Sequence, residues 1–320
     1  MDGRSSVVRL TVGGGALAAV AVAAVGLSTK LAPQRANAAQ ALVPARVLAK
    51  DVPTGPFTSA REDGDLAVGF AAVPSRAGHI ALTATVIGSD GKGATALHIG
   101  IALVSKIERH GSAVACAPGC YRVTLPFVGR PTEAVVSIRR PGHRPSAVRF
   151  NFPSIWTPPS GVQIVRAATA AFLRLRSVTI DEYLRSSLAY TAHTRWRLEA
   201  PDRLTYTAVR GGAQGVVIGN RRWDRSTSGK WVESAQLPLH QPTPTWGSAP
   251  LRAALLGSGR VDGHEVWRVS FVDPNVPAWY TAAIDKRTLR TLAVQMVAPA
   301  HFMRHTYFGF NTAPTIRPPK

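Results

Sequence analysis

Soft metal ligands are nearly absent from these 320 residues, which hold two cysteines and three methionines. So few cysteines exclude a thiolate cluster and a disulfide-dense scaffold. Acidic residues are scarce too, 18 against 38 Lys and Arg, and the formal net charge is +20. Tryptophan is missing from the whole first part of the chain, because all seven lie at or after Trp156. Charge is missing from residues 10–28, with Arg4 and Arg9 standing just ahead of them. An apolar run behind a basic start reads as an export signal. The run is close to the ~20 residues that cross a bilayer as a helix. Residues 1–38 therefore fit a cleaved signal peptide, with Ala36-Asn37-Ala38 as a small-residue cleavage site, and equally a retained N-terminal membrane anchor. No cysteine stands directly behind the run, which excludes a lipid-modified cysteine there, and Arg4 and Arg9 are too far apart for a twin-arginine signal.

Export changes the meaning of the charge. A basic chain inside the cell points to nucleic acid; outside it, the counter-charges are anionic lipid headgroups and wall polymers. Arg139, Arg140, Arg144 and Arg149, and Arg221, Arg222 and Arg225, form the basic clusters. Catalytic patterns are missing as well. Gly257-Ser258-Gly259 lacks the spacing of a nucleophile elbow. Lys230 follows Gly229 but precedes Trp231, and no phosphate loop leads into it. No two carboxylates have surroundings that would split their pKa values for acid–base work. These absences describe a protein that is not an enzyme.

The two cysteines stand in Cys116-Ala117-Pro118-Gly119-Cys120. Pro and Gly at the centre suit a type II turn, which brings the sulfurs together in an oxidising compartment. The pair reads as a disulfide stapling a hairpin tip; a redox or metal thiol pair is the other reading.

Residues 39–61, rich in Ala, Pro and Thr and without periodicity, read as a linker. From residue 62 to 153 the pattern is short alternating runs between turns: Leu66, Val68, Phe70; Ile80, Leu82, Ala84, Val86; Ile99, Ile101, Leu103; Tyr121, Val123, Leu125; Val136, Ile138; Val148, Phe150, Phe152. Alternation with Gly, Pro and Asp turns predicts an antiparallel sandwich. The stretch Gly69–Gly78, Ser89-Asp90-Gly91-Lys92 and Cys120-Tyr121 resembles the immunoglobulin-like YtkA family, whose members accompany copper-resistance proteins. That resemblance implies an immunoglobulin-like module over residues 62–153. It brings no copper ligands, since the stretch has no methionine and His79, His98, His110 and His143 fall in unrelated contexts.

Pro153–Gly161 is a stiff junction. Ser160 is placed to cap a helix running to about Arg176, with Ile164, Val165, Ala168, Phe172 and Leu175 on one face. Strands follow: a hairpin around Ala200-Pro201-Asp202, then Gly215–Asn220, Arg222-Trp223 and Lys230–Val232. Residues 235–250, with four prolines, form a long loop, and Leu251–Leu256 reads as a short helix ended by Gly257. His264–Val272, Trp279–Ile284, Leu289–Val297 and Phe302–Phe310 close the chain as strands. This order resembles the LolA/LppX-like carrier fold over residues 160–317, and Ala200–Arg203, Val217-Ile218-Gly219, Pro277-Ala278-Trp279 and Ala300–Met303 are similar to an extracytoplasmic domain found beside the YtkA-like module in actinobacterial-type membrane proteins. The expected class is mainly β with an α+β second domain: an immunoglobulin-like β-sandwich, then an antiparallel half-barrel sheet with one long and one short helix.

Two constellations carry candidate chemistry. Trp196, Trp223, Trp231, Trp246, Trp267 and Trp279, with Phe302, gather in the last 155 or so residues, where a curved sheet would use them to line an apolar cavity; filling a solid core is the other reading. The loop with Trp246 would be its lid. His301, Met303 and His305 share one face if they form a strand, and imidazole and thioether suit copper. At ~3.3 Å per residue the two histidines lie about 13 Å apart along the strand, so only a neighbouring pair could meet one ion. The expectation is an exported, membrane-associated binding protein whose carrier-like domain holds a hydrophobic or lipid ligand. The alternatives are an accessory protein of copper handling and a structural partner of a multi-pass membrane protein.

Overall fold

A computed structural model describes residues 57–75, 78–127, 129–185, 191–227, 229–247, 252–273, 278–298 and 301–320. The leader expected over residues 1–38 and the linker up to residue 56 lie outside the described residues.

The first nine strands are β1 (Phe57–Asp63), β2 (Leu66–Ser75), β3 (His79–Ile87), β4 (His98–Val104), β5 (Arg109–Ser112), β6 (Val114–Ala117), β7 (Cys120–Pro126), β8 (Glu133–Arg139) and β9 (Ser146–Asn151). They form two antiparallel sheets, β1-β2-β3-β7-β6 and β5-β4-β8-β9, packed as an immunoglobulin-like sandwich. The apolar phase of each alternating run points inward. Val68, Phe70, Leu82, Val86, Ile101, Leu103, Val136, Ile138 and Phe150 are all buried in one core, where Phe70 stacks on Phe150 at 4.9 Å between ring centres. Burial of this size is the main favourable term, roughly 25 cal/mol per Å² of apolar surface. β1 begins inside the stretch expected to be linker, because Phe57 packs into the sandwich core while Ala60, on the opposite face, packs against Trp279 and Phe302. Cys116 and Cys120 form a disulfide across the β6–β7 turn. Gly119 turns the chain there at φ +72°, and a Cβ on it would overlap the backbone of Val86 and Gly93.

The second half opens with α1 (Val162–Leu173), the one helix among the described residues. Eleven strands follow: β10 (Ser177–Arg185), β11 (Thr191–Glu199), β12 (Arg203–Ala208), β13 (Gln214–Ile218), β14 (Arg221–Arg225), β15 (Val232–Ala235), β16 (Ala253–Val261), β17 (His264–Asp273), β18 (Ala278–Asp285), β19 (Thr291–Ala298) and β20 (His301–Phe308). They make one antiparallel sheet in the order β15-β14-β13-β12-β11-β10-β20-β19-β18-β17-β16, an open half-barrel. β20 returns to pair with β10, so the last strand joins the two halves at the middle of the sheet. No described helix is long and apolar enough to cross a membrane.

The short helix expected over 251–256 is replaced by β16, which pairs with β17 along nearly its whole length. Gly257, at φ +126°, sits at a register shift in that ladder rather than at a helix end. A six-residue segment has no helical advantage once a neighbouring strand satisfies its backbone. The long helix starts one residue later than expected, with Gly161 at the cap. A side chain there would collide with Val269, so the close approach of helix to sheet requires glycine.

Candidate functional site

Strand alternation decides what faces the hollow under α1. Ile180, Glu182 and Leu184 of β10 stand opposite Tyr307, His305 and Met303 of β20. On the next strands Trp196 pairs with Ile180 and Tyr206 with Trp196. On the other side Phe271 stacks on Tyr280 at 5.2 Å. Above this floor α1 buries Ile164, Val165, Ala168, Thr169 and Phe172.

Between floor and helix runs the segment that follows β15. Residues 236–247 form no helix or strand, yet Leu239, Gln241, Pro242, Pro244 and Trp246 are buried. The segment is a strap across the concave side. One end is tied by Gln241 N–H donating to Pro201 O at 2.8 Å. At the other, Tyr280 Oη–H donates to Thr245 O at 3.2 Å, and Thr245 Oγ1 lies 3.3 Å from Tyr307 Oη. Trp246 is 2 % exposed; its ring meets Phe172 at 5.4 Å and Tyr307 at 6.3 Å, and its indole N–H donates to Thr169 Oγ1 at 2.9 Å. The strap therefore fills the space under the helix with an indole held by one polar bond and apolar contact.

A buried polar chain lies in the floor beside it. His305 Nε2 is 2.7 Å from Glu182 Oε2, and the two side chains are 2 % and 8 % exposed. Trp196 Nε1–H donates to Glu182 Oε1 at 3.2 Å, and His305 Nδ1 is 2.9 Å from Tyr307 Oη. Every member is partnered, which is the condition for keeping ionisable groups in an apolar setting. Burial pushes the Tyr307 phenol well above its ordinary range, so it stays protonated. Further along the same face burial, and then the hydrogen bond to Asp224, push Tyr206 up to about 12.

The structure divides the tryptophans that sequence reasoning placed around one cavity. Trp196, Trp246 and Trp267 lie on the concave side, Trp267 on the same face of β17 as Val269 and Phe271. Trp279 and Phe302 lie on the opposite face, buried with Val297 against Ala60, Ala67 and Ile87 of the sandwich. Trp279 lies directly over Gly69, where any Cβ would collide with its ring. Trp223 and Trp231 pack on that same outer face at the sheet's far end, with Val216 and Ile316. Strand parity separates them: Trp223 pairs with Val216, one position out of phase with Tyr206 and Asp224.

His301, Met303 and His305 do share one face of β20, and both ring nitrogens of His305 already meet Glu182 and Tyr307. Among the described residues no group of three or more His, Cys, Asp and Glu could hold a metal ion. Sequence reasoning missed Glu182, Tyr307, Thr169 and Thr245. Glu182 had a readable signal, since it stands in the apolar phase of Val178, Ile180 and Leu184.

No family model matches the chain, and no curated protein matches it in sequence. Solved structures similar to it include LprF from Mycobacterium bovis, 14 % identical with a TM-score of 0.38, covering 50 % of this chain and 96 % of that one. The lipoprotein LppX from Mycobacterium tuberculosis is 12 % identical with a TM-score of 0.38, covering 49 % of this chain and 97 % of that one. A LolA superfamily protein from Nitrosomonas europaea is 7 % identical with a TM-score of 0.23, covering 48 % of this chain and 94 % of that one.

Proposed function

We propose that this chain is an exported, membrane-associated binding protein whose half-barrel takes a hydrophobic, lipid-type ligand beneath α1, in the space that Trp246 fills. One observation carries the reading. The strap has no helix or strand, yet it supplies an indole buried on the concave side, held by a single polar bond to Thr169. A side chain on an irregular segment is one that a ligand can displace.

Magnitudes bound the ligand. Burying ~150–250 Å² of tryptophan at about 25 cal/mol per Å² is worth roughly 5 kcal/mol. A methylene contributes about 0.8 kcal/mol, so an alkyl chain offsets the lost indole only beyond about six methylenes. Long acyl chains fit this condition and short organic acids do not. The ligand-lining residues of this reading are Trp196 and Trp267, with Phe172, Phe271 and Tyr280 around them, and Trp246 is the side chain the ligand displaces. The Glu182–His305 pair closes the floor as a buried, mutually hydrogen-bonded polar base. The chain is read as non-enzymatic, with the sandwich as spacer and interaction surface. Copper handling has less support, because His305 is already held by Glu182 and Tyr307 and only His301 and Met303 of the three would remain.

Titration of a fluorescent long-chain fatty acid tests the proposal. Saturable binding is expected, and Trp246→Ala, which vacates the space, is expected to tighten it. Absence of binding by both proteins would overturn the carrier reading and leave a structural partner of a membrane protein.

A further inference from the structure

The far edge of the large sheet carries a surface that ligand holding does not explain. β15 is the last strand, paired only with β14, and all four of its residues are exposed. Val232 and, just beyond the strand, Leu237 are 66 % and 73 % exposed. Val232 stands opposite Asp224, on the concave face of this edge; on the outer face of the same edge Arg221 lies 4.7 Å over Trp223 and Arg225 lies 4.9 Å over Trp231. Trp223, Arg225, Gly229, Lys230, Trp231 and Glu233, with residues 319 and 320, line a groove of about 620 Å³. Its one acidic side chain is taken: Arg221 donates to both Glu233 oxygens at 2.8 Å, and Trp223 Nε1–H donates to one of them at 3.0 Å. Lys230 and Arg317 are exposed and make no ion pair among the described residues.

We propose that this edge, residues 221–227 and 229–237 with the tail at 316–320, docks on an anionic lipid bilayer. Three features share that chemistry. Cations whose local carboxylate is already neutralised attract an anionic leaflet, each worth about fivefold in affinity near the surface. The half-buried Trp231 indole, with Arg225 over it, belongs at headgroup depth, where an apolar ring and a polar edge are both satisfied, while Trp223 is buried and forms the wall behind it. Exposed Val232 and Leu237 gain only by leaving water, which a bilayer provides and a free anion does not. The net charge of +20 favours the same partner at long range. The strap begins directly after β15, so docking sets its root at the lipid surface. The docking stands whether or not a ligand lies under the strap.

Hydrogen–deuterium exchange tests this on the full chain reconstituted with vesicles of phosphatidylcholine alone or with added phosphatidylglycerol. Exchange is read segment by segment, so the edge is scored apart from the leader, whose own Arg4, Arg9, Lys30 and Arg35 also favour phosphatidylglycerol. Exchange in residues 221–237 is expected to slow about tenfold with phosphatidylglycerol. The double variant Lys230→Glu/Arg317→Glu is expected to abolish that slowing, and Val232→Ser/Leu237→Ser to reduce it. All four side chains are exposed, and unchanged exchange in β10 and β20 certifies the fold. Equal exchange in both vesicles overturns the proposal. So does equal slowing by soluble glycerophosphate without vesicles, which would assign the groove to a small anion.

Discussion

The indole N–H of Trp246 donates to Thr169 Oγ1 at 2.9 Å, joining the strap to the inner face of α1. Removing the ring leaves a hole bounded by Phe172 and Tyr307. Trp246→Ala is expected to destabilise the fold by about 3–5 kcal/mol, the range for large-to-small changes of a buried aromatic. Thr169→Val keeps the shape and strands the indole N–H, for a loss of about 1–3 kcal/mol. Denaturant unfolding measures both.

The Glu182–His305 pair is buried, so breaking it from one side is costly. His305→Ala leaves a buried carboxylate held only by Trp196, and a loss of about 3–5 kcal/mol is expected. Replacing both residues with apolar ones of similar volume should cost much less than the sum of the single changes. A double-mutant cycle in denaturant reads the difference.

Asp285 sets an acid limit. Burial raises its carboxyl, but hydrogen bonds from the Thr288 hydroxyl and N–H, from His264 and from Arg287 N–H outweigh that and hold it below the ordinary carboxylate value. The stabilisation is complete above the unfolded-state pKa, near 4, and is lost as pH falls through the lower folded value. Asp181, lowered by the hydrogen bond from Arg195, acts in the same direction. Asp285→Asn should lower stability at neutral pH and flatten its fall below about pH 4. Thermal melts across that range check the sign.

Gly69 carries the contact between the sandwich and the large sheet, because Trp279 lies on its bare backbone. Gly69→Ala is expected to cost about 1–3 kcal/mol by overpacking. Trp279→Phe in the same chain should recover part of the loss if the clash with the ring is the cause. Calorimetry of the single and double variants decides.

Much of the sandwich was legible because most of its strands alternate between a core face and a wetter one; β2, buried from Leu66 to Phe70 where it meets the large sheet, departs from this. Strict alternation marks the buried phase, and Val68, Phe70, Leu82 and Val86 all fall where that phase puts them. The half-barrel was legible in its order of elements and less so in its faces. Its central strands are covered on both sides, by α1 and the strap on one and by the sandwich or the tail on the other, so alternation there no longer separates wet from dry, while edge strand β15 is exposed throughout. Trp279 and Trp246 look alike in sequence and end on opposite sides of the sheet. β16 was misread because its apolar start, Ala253–Leu255, lacks the length that separates a strand from a helix. The strap's inward course depends on Pro201, Tyr280 and Thr169, all distant in the chain, and no local pattern announces it.

The central claim is that the space under α1 accepts an alkyl chain in place of the Trp246 indole. Native mass spectrometry of the protein purified from its own membranes tests it most directly. A co-purified molecule bearing a long alkyl chain, released on gentle activation, is the predicted result. A protein that emerges at its bare mass, and that still carries nothing when Trp246→Ala is isolated in the same way, would contradict the account.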